Sequence, residues 1–115
     1  MAESSIERAV FTELQEAAGA DFVVELVDTF LEEAPLMLAE LRCASADRAA
    51  DRYRRAAHSL KSNALTFGAA ALAAQARELE LNGLGPDPAA DAPALDALEA
   101  TYQVSAAALK ALCHG

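Results

Sequence analysis

The chain has no tryptophan, and aromatic residues make up only 5% of its 115 residues. A core built with so few large rings must be filled by small and aliphatic side chains, which favours closely packed helices. Proline is scarce, with one residue at position 35 and three between 86 and 93, so most of the chain is free to run as helix. The two cysteines, Cys43 and Cys113, have neither the number nor the spacing for a disulfide framework or a zinc site. Reduced thiols in a cytoplasmic protein are the expectation. Positive charge is also short, nine Lys and Arg against eighteen Asp and Glu for a formal net charge of -9. Such a surface repels a phosphate backbone and excludes general nucleic-acid binding. The opening Met-Ala-Glu-Ser-Ser-Ile-Glu lacks the basic and apolar blocks of a secretion signal, and no apolar run approaches membrane-spanning length. Missing as well are a Gly-rich nucleotide loop, an HExxH pair and a Ser, His and Asp set that spacing would single out. A chain of 115 residues reads as a single domain, 1–115, large enough for one core but not for an added ATP-binding module. It is not a complete kinase.

What is present is helical periodicity. Ile6, Val10, Phe11 and Leu14 follow helix spacing up to Gly19, a C-cap residue, and predict a short lid helix within 1–19. From Asp21 to about Cys43 an apolar stripe of Phe22, Leu26, Phe30, Ala34, Met37, Leu38 and Leu41 predicts a long helix, with Pro35 kinking it near Leu31 to Ala34. A third helix, capped by Ser45 or Asp47, buries Tyr53, Ala57, Leu60, Ala64 and Phe67 and ends near Gly68. A fourth runs from about Ala69 to Leu81 with Leu72, Ala76 and Leu79 inward. The Gly-, Pro- and Asp-rich stretch from Gly83 to Pro93 predicts a mobile loop over 83–92. Asp91 and Pro93 suit the start of a last helix that buries Leu95, Leu98, Tyr102, Ala106, Leu109 and Leu112. The fold class is therefore all-α: an antiparallel up-down-up-down four-helix bundle over 20–113, with the short N-terminal helix across one end.

The third helix carries the chemistry. At about 100° per residue, His58 lies roughly 140° from the centre of its buried face, and Arg54 and Lys61 lie roughly 100° and 80° from it. Arg54, His58, Lys61 and Leu65 thus form a second stripe that reaches solvent. Six of the nine basic residues, Arg42, Arg48, Arg52, Arg54, Arg55 and Lys61, gather around it in an otherwise acidic chain. Clustered positive charge stabilises a phosphoryl group on an imidazole and draws in an acidic partner surface. Periodicity alone is equally consistent with solvated surface side chains.

The succession His58, Leu60, Lys61, Ser62 and Gly68 resembles the motif of the histidine-containing phosphotransfer domain of multistep two-component signalling. The similarity extends from about Ala20 to Leu112, with Ser62 standing where the family usually has Gly. This resemblance implies that His58 takes a phosphoryl group from an aspartyl phosphate and that Lys61 neutralises its oxygens. It implies a response-regulator receiver domain and a sensor or hybrid histidine kinase as partners, with Mg²⁺ supplied by the receiver and no cofactor of the chain's own. Arg54, Arg55, Ser62 and Leu65 would form the partner-binding surface of a monomer.

If the third and fourth helices are antiparallel about Gly68, His58 is ten residues before the turn and Glu80 twelve after it. Glu80 can then hold the proton on one ring nitrogen and leave the other as nucleophile, although an exposed glutamate fits the same spacing. Gln75 lies too near the turn to reach His58, and His114 belongs to a frayed tail. Two other classes stay open: a helical interaction module that binds a signalling partner without being phosphorylated, and a metal site of His58, Glu80 and Cys43, which has no ligand pair at a recognised spacing.

Overall fold

A computed structural model of the chain describes residues 6–114, all of whose regular structure is helical. The first five residues of the expected 1–19 segment lie outside the described residues. Five helices follow in order: α1 Arg8–Ala18, α2 Ala20–Asp47, α3 Ala50–Thr66, α4 Ala70–Asn82 and α5 Pro88–His114. α2 packs on α3 and α5, α3 on α4, and α4 on α5, so these four close a ring around one core; α1 rests on α2 and α3.

The inward stripe of α3 is as its spacing predicts, with Ala57, Leu60 and Ala64 fully buried and Tyr53 and Phe67 nearly so. Leu72, Ala76 and Leu79 of α4 and Leu95, Leu98, Tyr102, Ala106 and Leu109 of α5 are likewise buried, while Leu112 is half-buried. In α2 the stripe departs from expectation. Val23 and Val27 are buried, whereas Phe22 is 51% exposed and Leu26 and Met37 are half-buried. Repeated steps of four drift about 40° per step on a 3.6-residue helix, and steps of four and three from Val23 through Val27 to Phe30 stay on the core side.

Pro35 does not break α2, which stays helical on both sides of it. Proline removes the bond to the carbonyl four residues earlier, that of Leu31. The Tyr102 hydroxyl of α5 lies 3.5 Å from that oxygen, a long contact that offers it a partner.

The corner where α2 meets α3 and α5 also corrects the sequence reading. α2 continues to Asp47, so neither Ser45 nor Asp47 caps α3, whose N-cap position is Ala49 with no side-chain bond. Arg48, in the left-handed region at φ 55°, closes α2 instead. α5 starts at Pro88 in the favoured first position, with the Asp87 carboxylate accepting the Ala90 N–H at 2.9 Å. The loop is thus shorter than the expected 83–92. Asp91 lies in the first turn of α5, at the helix start as expected, and is also a buried carboxylate, accepting from the Ser45 hydroxyl at 2.6 Å, the Gly85 N–H at 2.7 Å and Arg48 at 3.1 Å. Burial pushes its pKa up, but these three donors together outweigh that and hold it below the usual carboxylate value.

Gly68, between α3 and α4, has φ +79°, and a Cβ there would sit 2.9 Å from the Glu7 carbonyl oxygen. Its own carbonyl accepts the Glu7 N–H at 2.7 Å. The motif glycine therefore seats the start of α1 just past the C-terminal end of α3, ten residues or about 15 Å from His58.

Candidate functional site

The register set by the α3–α4 turn brings His58 and Glu80 together. His58 Nδ1 lies 2.8 Å from Glu80 Oε2, and Lys61 Nζ lies 2.8 Å from Glu80 Oε1. One carboxylate thus serves both an imidazole and an ammonium. Glu80 is held below the usual carboxylate range, first by the Lys61 ammonium paired with Oε1 and then by the hydrogen bond with His58, against a smaller opposing effect of burial. It is an anion at neutral pH and can only accept hydrogen bonds. The proton of a neutral His58 must accordingly sit on Nδ1, leaving the Nε2 lone pair free. The His58 side chain is 57% exposed, against 20% for Glu80. Nε2 has no protein partner among the described residues. The arrangement presents a nucleophilic nitrogen of fixed tautomer to an incoming group, with a cation one turn away.

The surrounding cations are more compensated than their number in the sequence suggests. Arg42 pairs with Asp96 and Glu99, Arg48 with Asp91, Arg52 with Glu40 and Asp47, Arg54 with Asp51, and Lys61 with Glu80. Of the six, only Arg55 has no ion pair among the described residues. It lines an open groove of about 460 Å³ between α2 and α3, with Leu36, Met37, Glu40, Arg52, Ala56 and Ser59. Ser62 is exposed beside His58, and Leu65 is 56% exposed one turn further on. Arg77 of α4 was not singled out by the sequence, yet it is exposed and unpaired among the described residues. The antiparallel register contained the signal: Arg77 lies nine residues after Gly68 and Lys61 seven before it.

The other candidates lie apart. Gln75 makes no hydrogen bond to His58, and its side-chain oxygen is buried without a partner among the described residues. His114 is not frayed: it is the last residue of α5, with Nε2 3.0 Å from Asp28 Oδ1. Among the described residues no group of three or more His, Cys, Asp and Glu is placed to hold a metal ion.

A family model described as the Hpt domain matches residues 25–108, most of the chain and all of the site. The chain belongs to the Hpt domain family. Comparison with curated proteins and with solved structures gives no match. Membership implies histidine phosphotransfer in two-component signalling, in which Hpt domains interact with receiver domains and kinases. No helix of this Hpt domain, among the described residues, is long and apolar enough to cross a membrane.

Proposed function

We propose that this Hpt domain carries its phosphoryl group on Nε2 of His58, receiving it from the aspartyl phosphate of one receiver domain and passing it to another in a multistep relay. The observation that carries the reading is that His58 is the sole histidine within the matched residues 25–108, and that its Nδ1 is already engaged by Glu80.

In the transfer step the Nε2 lone pair attacks phosphorus. An N–P bond forms as the acyl O–P bond breaks, and the receiver aspartate leaves as a carboxylate. The Nδ1 proton stays on the ring, where Glu80 stabilises the positive charge that develops on the imidazole. Lys61, one turn along α3, exchanges its contact with Glu80 for the phosphoryl oxygens. Mg²⁺ held by the receiver would neutralise the remaining phosphoryl charge, while this chain presents the nucleophile, His58, and the cation, Lys61.

The ring of α2 to α5 acts as an antiparallel up-down-up-down four-helix bundle over 20–113, a rigid support that keeps His58 on an open side. α1 braces the end near Gly68 rather than covering the histidine. Docking centres on His58, with Arg54, Arg55, Ser62 and Leu65 around it; the small Ser62 allows close approach. The domain works as a cytoplasmic monomer, with a sensor or hybrid kinase as the original source of phosphate.

Incubation with a panel of phosphorylated receiver domains tests the reading. Acid-labile, base-stable label on the wild type, absent from His58→Gln, is the expected result. Binding of receivers without any labelling would instead make the chain a non-phosphorylated interaction module.

A further inference from the structure

His58 stands on a ridge of α3 with a groove on either side. In the α2/α3 groove both oxygens of the Glu40 carboxylate hold Arg52, at 2.8 and 3.2 Å, and the charge of Arg55, which makes no ion pair of its own among the described residues, also acts on Glu40, so the two arginines there share an internal carboxylate. The α3/α4 groove is different. It measures about 200 Å³ and is lined by Lys61, Leu65, Ala70, Ala73, Ala74 and Arg77. The three alanines leave the α4 backbone close to the surface, and the exposed Leu65 forms a wall, so an apolar side chain from outside fits between the helices. Lys61 is held by Glu80, but Arg77 has no ion pair among the described residues. Arg77 precedes Glu80 by three residues, about 4.5 Å along α4. The groove therefore opens at the foot of the His58–Glu80 pair.

We propose that this groove docks an acidic amphipathic helix of the receiver domain, which presents an apolar side chain to Leu65 and the alanines and a carboxylate to Arg77. Arg77 then determines which receivers the Hpt domain accepts. The inference rests on the phosphotransfer reading above, because it supplies the partner. Charge complementarity selects the occupant. With a formal net charge of -9, most of the surface repels an acidic partner, and an uncompensated arginine is a local exception that a carboxylate reaches without displacing an internal pair. The same net charge opposes pairing of the groove with a second copy of the chain.

A panel of isolated receiver domains, phosphorylated with phosphoramidate, is scored for transfer to the full chain, and each receiver that labels it is titrated calorimetrically at two salt concentrations. Arg77→Glu is expected to raise Kd about tenfold or more and to flatten its salt dependence. Ala74→Gln, which fills the groove from an exposed position, is expected to weaken binding about fivefold. The single-turnover transfer rate at saturating receiver is expected to stay within about twofold of wild type, because neither residue hydrogen-bonds or ion-pairs with His58, Lys61 or Glu80. Wild-type melting temperatures for both variants separate this from misfolding. Labelling with Kd unchanged in both variants overturns the docking proposal and leaves phosphotransfer standing. A wild type that no receiver labels or binds overturns both. A concentration-dependent dimer of the wild type that Ala74→Gln abolishes assigns the groove to a second copy and also overturns the proposal.

Discussion

Replacing Asp91 by alanine should destabilise the domain without touching its chemistry. The carboxylate is 5% exposed and joins three parts of the chain: Ser45 at the end of α2, Arg48 just beyond it, and Gly85 in the loop before α5. Its removal leaves the nearly buried Ser45 hydroxyl and the Gly85 N–H without their acceptor. An unsatisfied buried polar group costs about 1–3 kcal/mol. The Arg48 side chain is 34% exposed and can turn to water, which keeps the loss below the roughly 3–5 kcal/mol of breaking a fully buried pair. A loss of about 2–4 kcal/mol follows, or a fall in Tm of roughly 10 °C for a domain of this size. The pH dependence has a definite sign. The folded pKa of Asp91 is depressed, so its contribution is fully present above the unfolded value of about 4 and is lost as pH falls through the folded pKa. Thermal melts followed by circular dichroism should show a gap between wild type and Asp91→Ala that is constant from about pH 5 to 7 and narrows below about pH 4. A variant melting within about 2 °C of wild type at pH 7, or a gap equally wide at pH 3, would refute the reasoning. Transfer well below the melting temperature should be unaffected, since the corner is remote from His58.

Lys61→Ala should slow phosphotransfer about tenfold or more at unchanged stability, because it removes one charge contact to the transferred group; rapid-quench rates equal to wild type would make Lys61 a purely structural partner of Glu80. Glu80→Ala frees the imidazole to populate both tautomers and should slow transfer several-fold, while Glu80→Gln, which still accepts from Nδ1, should restore most of the rate. If both variants are equally slow, tautomer control is the wrong explanation. Gly68→Ala forces a Cβ against the Glu7 carbonyl at positive φ and should destabilise by about 1–3 kcal/mol with transfer intact below the melting temperature, as chemical denaturation and labelling together would show.

The parts of this fold that were legible in the sequence are those in which local pattern and tertiary outcome coincide. The α3 stripe alternates steps of four and three and so stays on one face, which placed His58 outward and made the turn at Gly68 a ruler for finding Glu80. The α2 stripe was misjudged at Phe22 because residues spaced by four look regular in sequence while their faces drift on the helix. Pro35 signals a kink near Leu31 to Ala34, but the hydroxyl 3.5 Å from the Leu31 carbonyl it leaves free belongs to Tyr102, 67 residues further on, which no local window contains. Asp91 is a helix-start residue as its position predicts, but its burial is not legible for the same reason: its three partners come from two other segments, and burial of a carboxylate is decided by those partners rather than by its neighbours. The basic cluster is visible as composition, but composition does not show which cations are already paired, and Arg77, which has no ion pair among the described residues, lies outside it.

The position of the phosphoryl group on the ring tests the reading of the site most directly. Wild-type chain labelled from a phosphorylated receiver domain can be digested under alkaline conditions and the phosphohistidine isomers separated, or observed intact by ³¹P and ¹⁵N NMR. Because Glu80 occupies Nδ1 at 2.8 Å, the label should lie on Nε2 of His58 alone and disappear in His58→Gln. Label on Nδ1, on His114, or persisting in the His58→Gln variant would contradict it.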